Sequence, residues 1–167
     1  IAYPRLEYYG AQIYPSGDAL AFPAKPATGI IIDDSSIPFD EIPGGCWSQI
    51  NTGSAQNGQM SYVKPRTSSP TCSGKWAFPQ GSNDGTYAVY VRIPAVKATS
   101  EGAIYTIRHA GRNDQVVLNQ GVFPNLYYVT DGWVYVGKYN FTGAGDEYIE
   151  LTNRTQDQDL NIADLFL

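Results

Sequence analysis

The sequence is poor in the residue types on which most enzymes and metal sites rely. Its 167 residues include one histidine, one methionine and two cysteines. His109 is therefore the single imidazole, and no Gly-x-Ser-x-Gly motif supplies a nucleophile that it could activate. A zinc site would need further ligands beside it. We therefore expect no enzyme and no catalytic cofactor, although a pair of carboxylates facing each other across a cleft, as in glycosidases, stays open as the least expected alternative.

Long apolar runs and basic clusters are also missing. No run of apolar residues approaches the roughly 18 that a membrane-spanning helix requires. Lysine and arginine number 11 against 16 acidic residues, which gives a formal net charge of −5. Proteins that bind nucleic acid usually carry a basic surface instead. The sequence thus predicts no membrane span and no nucleic-acid partner.

No segment has a sustained helical period, whereas the alternation typical of β-strands is frequent. In GTYAVYVRIP, one face is predicted to hold Tyr87, Val89, Val91 and Ile93. In WVYVGKYNF, one face is predicted to hold Trp133, Tyr135, Tyr139 and Phe141. The chain also has 17 glycines and 11 prolines, many of them between such segments. Short strands joined by turns predict an all-β fold, an antiparallel jelly-roll-like β-sandwich.

The start of the chain differs from the rest. Residues 1–29 form a predicted N-terminal extended segment, and residues 30–167 form the predicted sandwich domain. The stretch RLEYYGAQIY has the apolar content of a strand, and a connector rich in proline and alanine follows it. Such a strand can complete the sheet of another copy through main-chain hydrogen bonds, or it can fold back onto its own domain as an edge strand. The residues predicted to make the assembly contact are Leu6, Tyr8, Tyr9, Ile13 and Tyr14.

From Ile30 onward, a series of short motifs resembles the golvesin C-terminal-like domain, which is also found beside bacterial xanthan lyases. The motifs are, in chain order, IIIDD, GGCW, GKWAF, GTYAVYVRIP, YTIRHAG, QVVLNQ, GWVYVGKYNFTGAG, YIELTN and ADLFL. The resemblance implies a non-catalytic, extracellular β-sandwich module. Modules of this kind are regarded as carbohydrate- or surface-binding, but the family supplies no defined binding residues.

Two classes of function are therefore expected. The first is a secreted structural protein that assembles with copies of itself into an extracellular filament or surface layer through its N-terminal strand. The second is a carbohydrate-binding accessory module with a polysaccharide partner. One stretch, GVFPNLYYVTD, is longer than the turn that the family has at this point, and it is predicted either to cover the core locally or to contact a ligand or partner. Its contact residues would be Phe123, Asn125, Leu126, Tyr127, Tyr128 and Asp131.

The histidine and the tryptophans have structural interpretations. His109 lies in the YTIRHAG hairpin, where alternation puts it on the same face as Tyr105 and Ile107. We therefore expect a buried, hydrogen-bonded histidine. Core packing is also the expectation for the tryptophans, and stacking on sugar rings is the alternative. The tryptophans are Trp47, Trp76 and Trp133.

Three carboxylates suggest a structural calcium ion. Asp33 and Asp34 end the first predicted strand, and Asp164 lies in the last. If these strands are neighbours, the three side chains and nearby carbonyl groups can supply the oxygen ligands that calcium prefers. Turn capping by the same aspartates is the alternative.

Other residues suit an extracellular or cell-surface location. Cys46 and Cys72 are expected to form a disulfide, because such bonds persist in oxidising compartments. The chain begins with Ile1 rather than methionine, which suits a secreted protein whose signal peptide has been removed, and suits equally a chain that has been trimmed. Asn140 and Asn153 begin N-glycosylation sequons, and Asn140 is predicted to lie on the exposed face of its strand.

Overall fold

The computed structural model describes residues 29–33, 35, 39–51, 53, 58–93, 100–120, 128–130, 133–156 and 165–166. Every regular element in these residues is a β-strand. The strands are β1 (Phe39–Ile42), β2 (Ser48–Asn51), β3 (Gln59–Val63), β4 (Ser73–Ala77), β5 (Gly85–Arg92), β6 (Ala103–His109), β7 (Arg112–Leu118), β8 (Tyr128–Thr130), β9 (Trp133–Phe141), β10 (Tyr148–Thr155) and β11 (Leu165–Phe166). None of the described residues forms a helix that could cross a membrane.

The strands form three sheets. A five-stranded sheet, here called the large sheet, has the order β1-β4-β10-β6-β7. Two three-stranded sheets have the orders β11-β3-β2 and β5-β9-β8. Neighbouring strands run antiparallel in all three sheets. The predicted all-β, antiparallel fold is thereby confirmed.

One hydrophobic core joins the three sheets. The large sheet contributes Tyr105, Ile107 and Leu151, which are almost completely buried. The same cluster includes Val89 and Phe141 of the β5-β9-β8 sheet, and Met60 of β3. A sheet that buries one face against two smaller sheets is sandwich-like, as the sequence predicted. The finer jelly-roll topology stays a prediction.

The β6–β7 hairpin shows how local sequence sets the register. Ala110 and Gly111 have φ angles of 43° and 76°. Two successive positive φ angles are the requirement of a type I′ turn, whose twist matches that of the flanking strands. The turn makes His109 and Arg112 register partners. Along β6, buried and half-buried residues alternate, so His109 lies on the core face, as predicted.

Strand β9 departs from its predicted alternation. Its register with β5 shifts at Val136, which is an extra residue of a β-bulge. As a result, Val134 joins the buried residues of β9, with 2% of its surface exposed. The prediction that Trp133 and Tyr135 share the core face with Tyr139 is therefore wrong. A prediction based on strict alternation does not include an extra residue. Such a residue reverses the faces of all residues beyond it.

Candidate functional site

A pocket of about 150 Å³ lies where the three sheets meet. The large sheet contributes Trp76, Tyr105 and Ile149, and β3 contributes Gln59 and Met60. The rest of the lining comes from β5, from the first residue of β9 and from coil residues 30–33. Aromatic and aliphatic side chains thus make most of the wall, with a small number of polar groups among them.

The position of β5 explains why the pocket is open. β5 is an edge strand of its sheet, and three consecutive residues of it line the pocket, Tyr90, Val91 and Arg92. Successive side chains of a strand point to opposite faces. The pocket therefore extends around the edge of β5. Along its rim, Ile30 and Ile31 have 48% and 50% of their surfaces exposed, so the entrance is also apolar.

Neighbouring residues hold the aromatic rings of the pocket in place. Trp76 of β4 is the register partner of Ile149, and its ring centroid lies 5.5 Å from that of Phe39. Trp133 lies opposite Arg92, whose guanidinium carbon is 6.0 Å from the Trp133 ring centroid. A cation at this distance from an indole face is attracted by the ring. The rings are therefore fixed before any ligand binds.

Tyr90 adds a hydroxyl to the aromatic wall. Its ring centroid is 5.4 Å from that of Tyr135, the residue opposite it on β9. Burial, and to a smaller extent the nearby Tyr135, raises the pKa of Tyr90. The phenol consequently stays protonated at neutral pH, where it can both donate and accept a hydrogen bond.

Three polar side chains complete the lining. Asp33 Oδ1 accepts hydrogen bonds from the backbone N–H of Ser35 at 2.9 Å and from its hydroxyl at 2.5 Å. Gln59 Nε2 is 3.5 Å from Asn51 Oδ1. Together with Arg92, these residues bring a carboxylate, an amide and a guanidinium to one apolar pocket. A few convergent polar groups in an apolar wall are the usual composition of a small-molecule site.

His109 lies outside this pocket and is buried in the fold. Its Nε2 is 2.9 Å from Asp114 Oδ2, and its Nδ1 is 3.3 Å from the Asn140 carbonyl oxygen. The ring packs edge-on against Tyr139, with 4.9 Å between centroids. The side chain is almost inaccessible, with 1% of its surface exposed. This is the hydrogen-bonded structural histidine that the sequence predicted.

A second buried group, Glu147, was not predicted. Its carboxylate accepts hydrogen bonds from the backbone N–H groups of Ala110 at 3.0 Å, Thr142 at 2.9 Å and Gly143 at 2.8 Å. Burial alone would raise the pKa of Glu147, but these N–H donors outweigh it and hold the pKa below its ordinary value. Glu147 thus ties the β6–β7 turn to the loop after β9. The glycine-rich sequence around it gave no sign of burial.

The predicted disulfide is not formed in the structure. Cys46 and Cys72 are free, half-buried thiols, and Cys72 Sγ lies 3.7 Å from the Cys46 carbonyl oxygen. Burial, followed by a hydrogen bond with the Cys72 thiol, raises the pKa of Cys46 to about 12. The sequence therefore identified two neighbouring cysteines, but their oxidation stays a prediction.

The two sequons have opposite environments. Asn140 is exposed on β9, as predicted, and its Oδ1 accepts a hydrogen bond from the Thr86 hydroxyl at 2.6 Å. Asn153 is buried, with 3% of its surface exposed. Its Oδ1 accepts from the backbone N–H groups of Thr71 and Cys72, and its Nδ2 donates to the Thr71 hydroxyl. The glycosylation prediction is wrong for Asn153, because a glycan needs that nitrogen exposed.

Several predicted residues cannot be placed. All five assembly residues of the extension lie outside the described residues, as do Asp34 and Asp164. The same holds for most of the predicted partner loop, whose Tyr128 is described only as the start of β8, which pairs with β9. Among the residues that the structure describes, no group of three or more His, Cys, Asp or Glu side chains could hold a metal ion. The calcium site stays a prediction.

The tryptophans divide between core and pocket. Trp47 is buried with 6% of its surface exposed, as expected of a core residue. Trp76 and Trp133 are only half-buried, and both line the pocket. The expectation of core packing is therefore incomplete for these two residues. Trp76 also packs against the core cluster, and stacking on sugar rings stays a prediction for both residues.

The described residues form a domain of the antiparallel, sandwich-like β class, with an aromatic-lined pocket at a sheet edge. Within that class, the chain belongs to the golvesin C-terminal domain family, whose model matches residues 30–166. Comparison with curated proteins gives no match.

A solved structure shows the same fold. A xanthan lyase from Paenibacillus superposes with a TM-score of 0.63 at 19% sequence identity. The match covers 81% of this chain and 12% of the xanthan lyase chain. The chain is therefore similar to a small part of that enzyme, and at this identity the likeness concerns the fold alone.

Proposed function

We propose that this chain is a secreted, non-catalytic carbohydrate-binding domain, and that the pocket at the edge of β5 is its binding site. The observation that carries the proposal is the aromatic lining. Trp76, Tyr90 and Trp133 converge on one pocket, and Arg92 and Gln59 accompany them. Polysaccharide outside the cell is the proposed partner.

The chemistry of a sugar ring fits this lining. A pyranose has C–H groups that pack against the face of an aromatic ring, while its hydroxyl groups need hydrogen-bond partners. Arg92 and Gln59 can donate hydrogen bonds, Asp33 can accept them, and the Tyr90 hydroxyl can do both. Because the pocket combines rings with both donors and acceptors, it suits a sugar better than a purely apolar ligand.

The structural relative supports the same class of ligand. The Paenibacillus protein is a xanthan lyase by name, and xanthan is a polysaccharide. A domain of this fold within such an enzyme is compatible with a role in holding polysaccharide. Xanthan is consequently the first polymer to test, alongside neutral polysaccharides such as cellulose derivatives, mannans and galactans.

Affinity electrophoresis and isothermal titration calorimetry test the proposal. We expect at least one of these polymers to retard the protein, and Trp133→Ala and Tyr90→Ala each to weaken binding about tenfold or more, given the energy of an aromatic contact. Tyr148→Ala is the matched control. Tyr148 is a half-buried tyrosine of β10 whose ring lies 4.2 Å from Lys75 Nζ, and it does not line the pocket.

The site is tested by comparing the pocket variants with the Tyr148→Ala control. Binding that survives in both pocket variants would contradict this site, and so would an equal loss in Tyr148→Ala. Circular dichroism and thermal unfolding confirm that each variant is folded. Absence of binding to every polymer by the wild-type chain would refute the carbohydrate-binding function itself.

Self-assembly is the second candidate function. The observation that favours it is the exposure of large apolar residues. Ile30 and Ile31, which follow the extension in the sequence, are 48% and 50% exposed, and Ile42 on edge strand β1 is 51% exposed. Exposed edge strands are sites where another chain can add a strand. Size-exclusion chromatography of the full chain, and of a chain beginning at Thr28, tests this. Assembly predicts polymers that the shortened chain cannot form, and a full-length monomer at all concentrations would exclude it.

A further inference from the structure

From the dimensions of the pocket, we infer that it holds a single uncharged pyranose ring. The domain would then recognise a terminal or side-branch sugar rather than an inner stretch of polysaccharide. This inference rests on the proposed function and adds the size and charge of the ligand.

The first argument for a single ring is the volume of the pocket. It is about 150 Å³. A protein cavity of roughly this volume accommodates one six-membered ring such as benzene. Two linked sugar rings need about twice that space. The pocket therefore has room for no more than one ring, and because it is open on one side, part of that sugar and any further sugar of the same chain would lie outside it.

The arrangement of the walls carries the second step. Trp76 and Tyr105 come from the large sheet, whereas Tyr90 and Trp133 come from the β5-β9-β8 sheet. Rings supplied by different sheets close around a ligand that enters between them. A linear glycan would instead need a row of rings along one sheet face. The geometry favours a chain end or a branch that can insert.

The third argument, for an uncharged sugar, concerns the charged side chains that line the pocket. Arg92 and Asp33 are the charged side chains among the described residues that line the pocket. Their formal charges cancel, and the whole chain carries a net charge of −5. An anionic sugar would gain from Arg92 but would be repelled by Asp33 and by the protein as a whole. A neutral sugar avoids this cost and uses Arg92 as donor and Asp33 as acceptor.

Competition with single sugars tests the inference. The probes are the methyl glycosides of the constituent sugars of whichever polysaccharide binds, together with the matching di- and trisaccharides and glucuronate. We expect one neutral methyl glycoside to displace the polymer completely. The affinities of its di- and trisaccharides should lie within about threefold of its own, because added rings make few contacts. Glucuronate should bind at least about tenfold more weakly, since its carboxylate meets Asp33.

Variants locate the effect in the pocket. Arg92→Gln should weaken the neutral glycoside about tenfold, as expected for loss of a charged hydrogen-bond donor. If Trp133→Ala does not fold, Tyr90→Ala and Arg92→Gln still report on the pocket, and Tyr148→Ala remains the control. Saturation-transfer NMR on the wild-type chain needs no variant and should show one bound ring with the other rings free.

The results separate this inference from the proposed function. A polymer that binds but is not displaced by any single sugar, or an affinity that rises tenfold with each added ring, would overturn the single-ring pocket and leave carbohydrate binding intact. Tighter binding of glucuronate would overturn the preference for a neutral sugar. Failure of all polymers and sugars to bind would overturn both.

Discussion

At the scale of single residues, Glu147 and the cysteine pair allow direct tests of what stabilises the fold. The Glu147 carboxylate receives N–H groups from two separate turns, one at Ala110 and one at Thr142 and Gly143. A buried anion is costly unless such donors surround it. The N–H donors outweigh the cost of burying the carboxylate, and the pKa of Glu147 therefore lies below its ordinary value. Glu147 is therefore an anchor between loops and plays no part in the proposed binding site.

Substitution of this anchor should destabilise the fold in a pH-dependent manner. Glu147→Gln removes the charge and one acceptor oxygen, and we expect a loss of about 2–4 kcal/mol in unfolding free energy at neutral pH. Because the folded-state pKa is depressed, the contribution is present above the ordinary value of 4.5 and is lost as the pH falls through the folded pKa. Urea unfolding between pH 7 and pH 3 measures both effects.

The acid dependence distinguishes the role of Glu147 from that of other carboxylates. Wild-type stability should fall more steeply below pH 4.5 than that of Glu147→Gln. Glu150→Gln is the control, since it removes a carboxylate from the adjoining strand β10 and leaves Glu147 with its backbone N–H donors. Parallel pH profiles for wild type and Glu147→Gln would contradict the proposed anchor.

The cysteines should form a disulfide under oxidising conditions. Cys46 and Cys72 are 26 positions apart and already lie side by side. A closed loop of this length corresponds to about 3–4 kcal/mol in the chain-entropy model. Because burial raises the pKa of Cys46 to about 12, little of its thiolate exists at neutral pH, so attack by the Cys46 sulfur should be slow and should speed up as the pH rises.

Intact mass before and after treatment with oxidised glutathione measures this reaction. We expect the loss of two hydrogens and a higher melting temperature that reductant reverses. Cys46→Ser should show neither change. Two free thiols that persist in the folded protein after prolonged treatment at pH 8–9 would exclude the bond, and with it one argument for secretion.

At the scale of elements, close contacts between turns fix the strands. Gly143 has a φ of 71°, and a Cβ there would lie 2.5 Å from the Ser82 backbone oxygen. Gly143→Ala should therefore cost more than the roughly 1 kcal/mol of an unfavourable φ, and we expect about 3 kcal/mol. Gly45→Ala is the control, because Gly45 has a similar φ of 78° with open space around it. Chemical denaturation of both variants isolates the steric part, and equal losses would show that the Ser82 contact is unimportant.

The same scale shows what the sequence predicted well. Alternation and the turn residues Ala110 and Gly111 were sufficient to predict strands β6 and β7 and the buried position of His109. They failed in β9, where the bulge at Val136 exchanges the two faces. Local pattern reports the local period, but a bulge arises from pairing with β5, which is distant in sequence.

At the scale of the whole molecule, the sequence suggested Trp76 and Trp133 as alternative sugar-stacking residues, but it did not show that they share a site. Trp76, Tyr90 and Trp133 lie in three strands, and each has the pattern of an ordinary strand residue. Only the sheet order, with β5 at an edge, brings them to one pocket. Sequence reasoning placed carbohydrate binding in the loop around Tyr127 instead, because an insertion is visible in sequence and a pocket between sheets is not.

Binding at this pocket should also stabilise the whole domain. A ligand that binds only the folded state raises the unfolding free energy by RT ln(1 + [L]/Kd), about 2.7 kcal/mol at a hundredfold excess over Kd. For a domain of this length, that corresponds to a rise of about 5–10 °C in Tm. Differential scanning fluorimetry with the sugar that competes best measures it. Tyr148→Ala should keep the rise and Trp133→Ala should lose most of it. An equal rise in both variants would mean that the sugar binds elsewhere on the domain, because a ligand can stabilise the fold only through contacts that it makes.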